Sequence, residues 1–165
     1  MSEAFEAALE FTLRWEGGYS EDAADPGGAT KYGISARTYP TVNIKALTVA
    51  AAGEIYRRDF WAYCHGDQLP PRLAVALFDT AVNCGPAKAV RLLQQTLRVP
   101  TDGVVGPQTI TACWEKAETA AIKDVLVELL ARRVVFYAPL PAFPRFGLGW
   151  VKRCFALLDA ALKVT

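Results

Sequence analysis

The sequence predicts a mostly α-helical protein, with at most a small β element near residues 19–35. Three observations lead there. Apolar residues recur at helical spacing through most of the chain. Val and Ile lie inside those helical patterns and not in alternating runs. Gly and Pro fall between the patterns, where they end one helix and open the next.

The first helix is expected to start at Ser2, a good N-cap residue. It carries Phe5, Leu9, Thr12 and Leu13 on one face and is stopped by Gly17 and Gly18. A polar loop from Tyr19 to Thr30 follows, with a turn signal at Asp25-Pro26-Gly27-Gly28, and Lys31 to Ser35 reads as a short hairpin or irregular loop. An amphipathic helix is expected over Leu47 to Phe60. Pro71 suits the first turn of a helix running to Cys84, Gly85 stops it, and Pro86 opens another that ends near Arg98. Thr101 to Gly106 is a loop, Pro107 opens a short helix, and a long helix covers Glu118 to Ala138. Pro139, Pro141 and Pro144 read as a rigid connector to a last helix over Phe146 to Leu162. Leu69-Pro70-Pro71 divides the chain into residues 1–69 and 70–165, two halves expected to pack together as one compact unit.

Composition narrows the function. Of 165 residues, 52% are hydrophobic, enough for a sizeable core, and the net charge is only +1. A nucleic-acid binder would show a basic face and a high pI, so none is expected as a partner. The four cysteines, Cys64, Cys84, Cys113 and Cys154, include no C-x-x-C pair, and His65 is the single histidine. No metal site and no cofactor are expected, and the thiols read as reduced, mostly buried small hydrophobes. The acidic N-terminus lacks the basic start of a cleavable signal peptide. The best apolar run, Val125 to Phe136, is interrupted by Glu128, Arg132 and Arg133, so stable membrane insertion is not expected. The chain reads as a monomer made in the cytoplasm.

Glu16 is the residue whose type and place disagree. On a helical wheel with Phe5 at zero, it falls only about 20° away, inside the arc of Leu9, Thr12 and Leu13. A carboxylate there faces the core or a cleft cut into it. Burial and the negative end of a helix both oppose its charged form, and a proton-holding carboxyl is what a glycosidase uses on a leaving-group oxygen. The alternative is an ordinary ion pair with Arg14 or Lys31.

Around Glu16 stands a set of short motifs: Glu16-Gly-Gly-Tyr-Ser20, Asp25-Pro-Gly-Gly28 and Thr30-Lys-Tyr-Gly-Ile-Ser35. Their order and spacing closely resemble the N-terminal signature of glycoside hydrolase family 108, a family of phage endolysins and bacterial muramidases. The resemblance implies a lysozyme-like helical fold, peptidoglycan glycan strands as substrate, and Glu16 as catalytic acid. Residues 1–69 would form the catalytic region. A looser similarity to the wider phage-lysozyme group sets an Asp nine residues after the Glu, where Asp25 stands. That group's Thr comes six residues later still, and Thr30 is one residue early for it. On this resemblance Asp25 would be the second carboxylate, with Asp22 and Glu21 as alternatives, Thr30 would help to place a water, and Tyr19 and Tyr32 would line the sugar cleft or hydrogen-bond the acid. Asp25 also suits turn initiation before Pro-Gly, and Tyr32 also suits ordinary half-burial. Trp15 and Trp61 are further cleft candidates, because aromatic faces match sugar C–H surfaces as well as cores.

The second half continues the resemblance. Phe78-Asp-Thr-Ala-Val-Asn-Cys-Gly-Pro86, Leu92-Leu-Gln-Gln-Thr-Leu97 and Phe146-Gly-Leu-Gly-Trp-Val-Lys-Arg153 are similar to the family's later segments. Asp102-Gly-Val-Val-Gly-Pro-Gln-Thr109 resembles the loop-to-helix signature of peptidoglycan-binding modules. Its glycines permit tight turns, and Asp102 suits bonding to loop amides. A stabilising role is expected for Asp102 and Thr109, and a core role for Trp150. The expected reaction is hydrolysis of the β-1,4 bond between N-acetylmuramic acid and N-acetylglucosamine. A lytic transglycosylase, or a wall-binding protein without catalysis, are the other readings. Reaching the wall would need a holin, as for a phage endolysin, or another export route.

Overall fold

The computed structural model describes residues 2–20, 28–119 and 121–165. Among these, seven α-helices dominate: α1 Glu3–Glu16, α2 Val49–Tyr56, α3 Pro71–Cys84, α4 Pro86–Leu97, α5 Pro107–Ala117, α6 Ile122–Tyr137 and α7 Phe143–Lys163. A two-stranded antiparallel hairpin, β1 Thr30–Lys31 and β2 Ile34–Ser35, lies between α1 and α2. The fold is mostly helical with a minimal sheet, as the sequence predicts.

Helix α3 is the axis of the molecule. Every residue from Leu73 to Ala81 is buried, and the helix packs against α1, α4 and α7. Pro71 occupies its first turn, where the missing N–H costs nothing. Gly85 and Pro86 then turn the chain directly into α4. Phe5, Trp61 and Phe78 form an aromatic knot at the α1–α3 contact, with ring centroids 5.2–5.8 Å apart. Edge-to-face pairs of this kind add to the burial energy of the rings themselves.

Several boundaries differ from expectation for identifiable reasons. Ser2 stands at the N-cap of α1, but its hydroxyl donates to Asp67 and caps no amide. The helix expected over Leu47 to Phe60 starts at Val49, behind the Thr48 cap, and passes into a π-type turn at Arg57–Trp61. Pro144 is not part of the connector. It sits in the first turn of α7, which therefore begins at Phe143; a proline is accepted there because that N–H has no helical partner anyway.

The Thr101–Gly106 loop is organised by Gln94, a buried side chain of α4. Its amide nitrogen donates to Asp102 Oδ1 at 2.7 Å, to the Val104 carbonyl at 2.9 Å and to Thr109 Oγ1 at 3.2 Å. Its oxygen accepts from the Gly103 N–H at 2.8 Å. Asp102 also accepts from the Val104 N–H, and these hydrogen bonds hold its carboxyl below the usual range. Asp102 and Thr109 thus bond within the loop. Replacing Gln94 by Ala strands several of these groups at once. It is expected to lower stability by about 2–3 kcal/mol, read as a fall in the urea midpoint.

Candidate active site

Glu16 is the last residue of α1. The buried stripe of that helix runs through Phe5, Ala8, Phe11 and Thr12, so its centre is rotated toward Ala8. Leu9 and Leu13 are only half-buried. Glu16 accordingly sits at the edge of the stripe and not in its middle, with its side chain 19% exposed. This is a carboxyl that is held by the core and still reaches solvent.

The partner of Glu16 is neither residue weighed from the sequence. Arg14 pairs with Glu10 at 2.9 Å, one helical turn back, and Lys31 donates to the Lys45 carbonyl. Instead Arg153 of α7 donates from Nη1 to Glu16 Oε1 at 2.6 Å. Local pattern carries no trace of a contact between residues so distant in the chain.

Arg153 is itself fixed by Asp79 of α3. Its Nη2 and Nε donate to the Asp79 carboxylate at 2.5 and 3.2 Å. Asp79 is fully buried and also accepts from Arg133 Nη1 of α6 at 2.7 Å and from Thr12 Oγ1 of α1 at 3.0 Å. Burial alone would raise the Asp79 carboxyl; the charges and hydrogen bonds of Arg133 and Arg153 outweigh it and hold the group below the usual carboxylate range. Thr12 and Glu16 are one turn apart on α1. The closed circuit Thr12–Asp79–Arg153–Glu16 therefore sets both the rotation of α1 and the position of the acid.

The other side of Glu16 is formed by the hairpin. Tyr32 and Gly33 link the two strands, and both have positive φ, 52° and 75°, as a two-residue I′ turn requires. A Cβ on Gly33 would stand 2.7 Å from both Glu16 Oε2 and Tyr56 Oη. Glycine is thus needed twice, for the turn and for the approach of the carboxyl. Tyr56 donates to the Tyr32 carbonyl at 2.7 Å. Burial, and then the charge of Glu16, push its hydroxyl well above the ordinary range, so it stays a donor.

The remaining sequence candidates separate. Thr30 lies on β1, half-buried, with its hydroxyl donating to the Gly28 carbonyl at 3.3 Å. The backbones of Thr30 and Ser20 pair, which brings Tyr19, 41% exposed, beside the hairpin that carries Tyr32. Asp25, Asp22 and Glu21 lie outside the described residues. Trp61 is a correction: it is 1% exposed and enclosed by Phe5, Phe78 and the bare backbone of Gly66, so no ring face is open to a sugar. The π-type turn carries it inward.

Trp15 keeps an open face. It is 37% exposed, but it lines a groove of about 820 Å³ between α1 and the end of α7, with Phe11, Ala156 and Ala160. That groove is large but does not include Glu16, and its Glu10–Arg14 and Asp159–Lys163 pairs are exposed and mutually neutralised. The candidate chemistry stays with Glu16. Among the described residues no group of three His, Cys, Asp or Glu side chains is placed to hold a metal ion. Arg153, Asp79, Arg133 and Tyr56 are the members of the site that sequence reasoning missed.

A carboxyl at a helix end, largely buried but still reaching solvent, backed by a glycine hairpin and a buried arginine, is the candidate site of this lysozyme-like helical fold. The sequence profile described as Glycosyl hydrolase 108 matches residues 9–85, and that described as Predicted Peptidoglycan domain matches residues 88–155. The structure of SagA from Brucella abortus is similar over 96% of this chain and 93% of that one, with 36% identity and a TM-score of 0.83. A search of curated proteins finds no match. The chain belongs to glycosyl hydrolase family 108 and is a peptidoglycan-directed glycoside hydrolase.

Two outcomes are expected from this geometry. Asp79→Asn leaves two buried guanidinium groups short of a counter-charge and should lower stability by about 3–5 kcal/mol. Because the native carboxyl is held below its unfolded value, its contribution is present above about pH 4 and is lost as pH falls through the folded value. Acid unfolding followed by circular dichroism should therefore lose part of its steepness in the variant. Gly33→Ala must strain a positive φ and displace Glu16 or Tyr56; a fall of at least tenfold in glycan cleavage is expected by a fragment-release assay.

Proposed function

We propose that the protein is an N-acetylmuramidase that cleaves the β-1,4 bond between N-acetylmuramic acid and N-acetylglucosamine, with Glu16 as general acid. The observation that carries this reading is the carboxyl of Glu16. It is anchored through one oxygen by Arg153, sits against Gly33, and still reaches solvent at the end of α1. Held this way, the acid has few positions open to it. That fixed geometry is what proton transfer to a glycosidic oxygen needs.

In this scheme Glu16 gives its proton to the leaving sugar's oxygen as the C1–O bond breaks. A water adds to C1 from the other side or after an intermediate, and its proton passes to a carboxylate. Arg153 stabilises the Glu16 carboxylate left behind. Asp25 is the second carboxylate, and Thr30, on β1, orients water. Tyr19, next to Ser20, whose backbone pairs with Thr30, and Tyr32, in the hairpin turn, contact the sugars. A separation of roughly 6.5–9.5 Å between the two carboxyls would give inversion and about 5–5.5 Å retention.

The enzyme acts as a monomer on the wall, after release from the cytoplasm through a holin-type pore or another export route. Glu16→Gln keeps the shape and removes the proton. Cleavage of purified sacculi is expected to fall by a factor of about 10²–10⁴, with the variant still folded. Full cleavage by the variant would move the acid elsewhere. Fragments one water lighter, by mass spectrometry, would make the enzyme a lytic transglycosylase.

A further inference from the structure

Helices α1 and α3 run side by side in the same direction. Ser2 meets Asp67 just before α3, and Thr12 meets Asp79 further along it. One turn beyond that second contact, α1 ends at Glu16 and α3 reaches Asn83. The two side chains therefore stand at the same end of the helix pair, whose axes pack about 8–10 Å apart. Both helices then stop at glycines. Among the described residues, a Cβ on Gly17, Gly18 or Gly85 would meet nothing within 4 Å. That open end leaves room for a glycan held at Glu16 to cross Asn83, which is itself only half-buried.

Hydrogen bonding decides which end of the Asn83 amide faces outward. The Tyr137 hydroxyl accepts from Arg133 Nε at 2.5 Å and from the Cys84 thiol at 3.6 Å, which occupies its lone pairs. Its one proton goes to Asn83 Oδ1 at 2.7 Å. A rotated amide would set N–H against O–H at this point. The oxygen of Asn83 is thus fixed inward and Nδ2 is turned the opposite way. Among the described residues the bond from Tyr137 is the one side-chain hydrogen bond of Asn83, so Nδ2 keeps both of its protons to donate. The chain Asn83–Tyr137–Arg133–Asp79–Arg153–Glu16 is continuous in hydrogen bonds. Donor and acid are held in one frame.

We propose that Asn83 is a specificity-determining residue, whose Nδ2 donates to the carbonyl oxygen of a 2-acetamido group on the glycan bound at Glu16. The proposal rests on the reading of Glu16 as the acid of a peptidoglycan glycosidase and adds what that site selects. A sugar hydroxyl both donates and accepts, so it would be served by either end of an amide. A donor fixed outward matches a group whose exposed atom only accepts, and the acetamido carbonyl is such a group. In a de-N-acetylated sugar an ammonium takes its place. An ammonium only donates, and two donors facing each other leave both unpaired. The enzyme therefore distinguishes N-acetylated from de-N-acetylated strands through Asn83, on the principle that a site built to hydrogen-bond one group rejects the analogue without it.

The test compares initial rates of fragment release from purified sacculi and from the same sacculi after chemical de-N-acetylation. The readout is the ratio of the two rates, because a weakened fold or a disturbed Glu16 lowers both alike. The wild type is expected to cleave the acetylated form about tenfold faster. Asn83→Ala is expected to lose about tenfold on the acetylated form and to leave the other rate nearly unchanged. Asn83→Asp keeps an inward oxygen for Tyr137 and replaces the outward donor by an acceptor. It is expected to reverse the preference, because a carboxylate receives the ammonium of the de-N-acetylated sugar. Equal wild-type rates, or variants that keep the wild-type ratio, overturn the assignment of Asn83 and leave the glycosidase reading standing. A wild type that releases no fragments from either substrate overturns that reading, and the assignment falls with it.

Discussion

Asp79 carries its charge where no water reaches it, and a lone buried carboxylate would be worth many kilocalories of instability. The surrounding structure is arranged to meet that demand. Arg133 arrives from α6, Arg153 from α7 and the Thr12 hydroxyl from α1. One helix from the start of the chain and two from its end are thereby brought to one point on α3. Replacing such a cluster by apolar groups is often neutral for stability, so its retention is better understood through what it positions. Arg153 has a third nitrogen left over, and Glu16 takes it.

The acid is consequently not placed by α1 alone. The helix supplies the backbone position, but the rotation of that helix is fixed by Thr12 on Asp79, and the carboxyl is fixed by Arg153 and the bare face of Gly33. Each restraint comes from a different element. A side chain restrained from several elements keeps a fixed geometry. The arrangement also ties the segments matched by the peptidoglycan domain profile, which include Arg133 and Arg153, to the candidate site at Glu16.

The division of labour among the tryptophans follows from the same packing. Trp61 fills the knot between α1 and α3, Trp15 opens on a separate groove, and Trp150 lies on the helix that carries Arg153. Their residue type is identical and their surroundings differ.

Local pattern in the sequence determined the helices, the hairpin region and Glu16 itself. Helix starts at Pro71, Pro86 and Pro107 and the stop at Gly17 follow from backbone chemistry that each residue carries with it. The E-G-G-Y and D-P-G-G-x-T-x-Y-G-I-S motifs made the family legible, and with it the peptidoglycan substrate. The sequence also marked Glu16 as a carboxylate on an apolar face. What only the tertiary structure decided was the company that Glu16 keeps. Arg153 and Asp79 fall within the later family-like segments, but no local pattern pairs them with each other across 74 residues or Arg153 with Glu16 across 137. Long-range contacts depend on how helices pack, which periodicity does not encode; the same packing buried Trp61 and turned the apolar stripe of α1 until Glu16 stood at its edge.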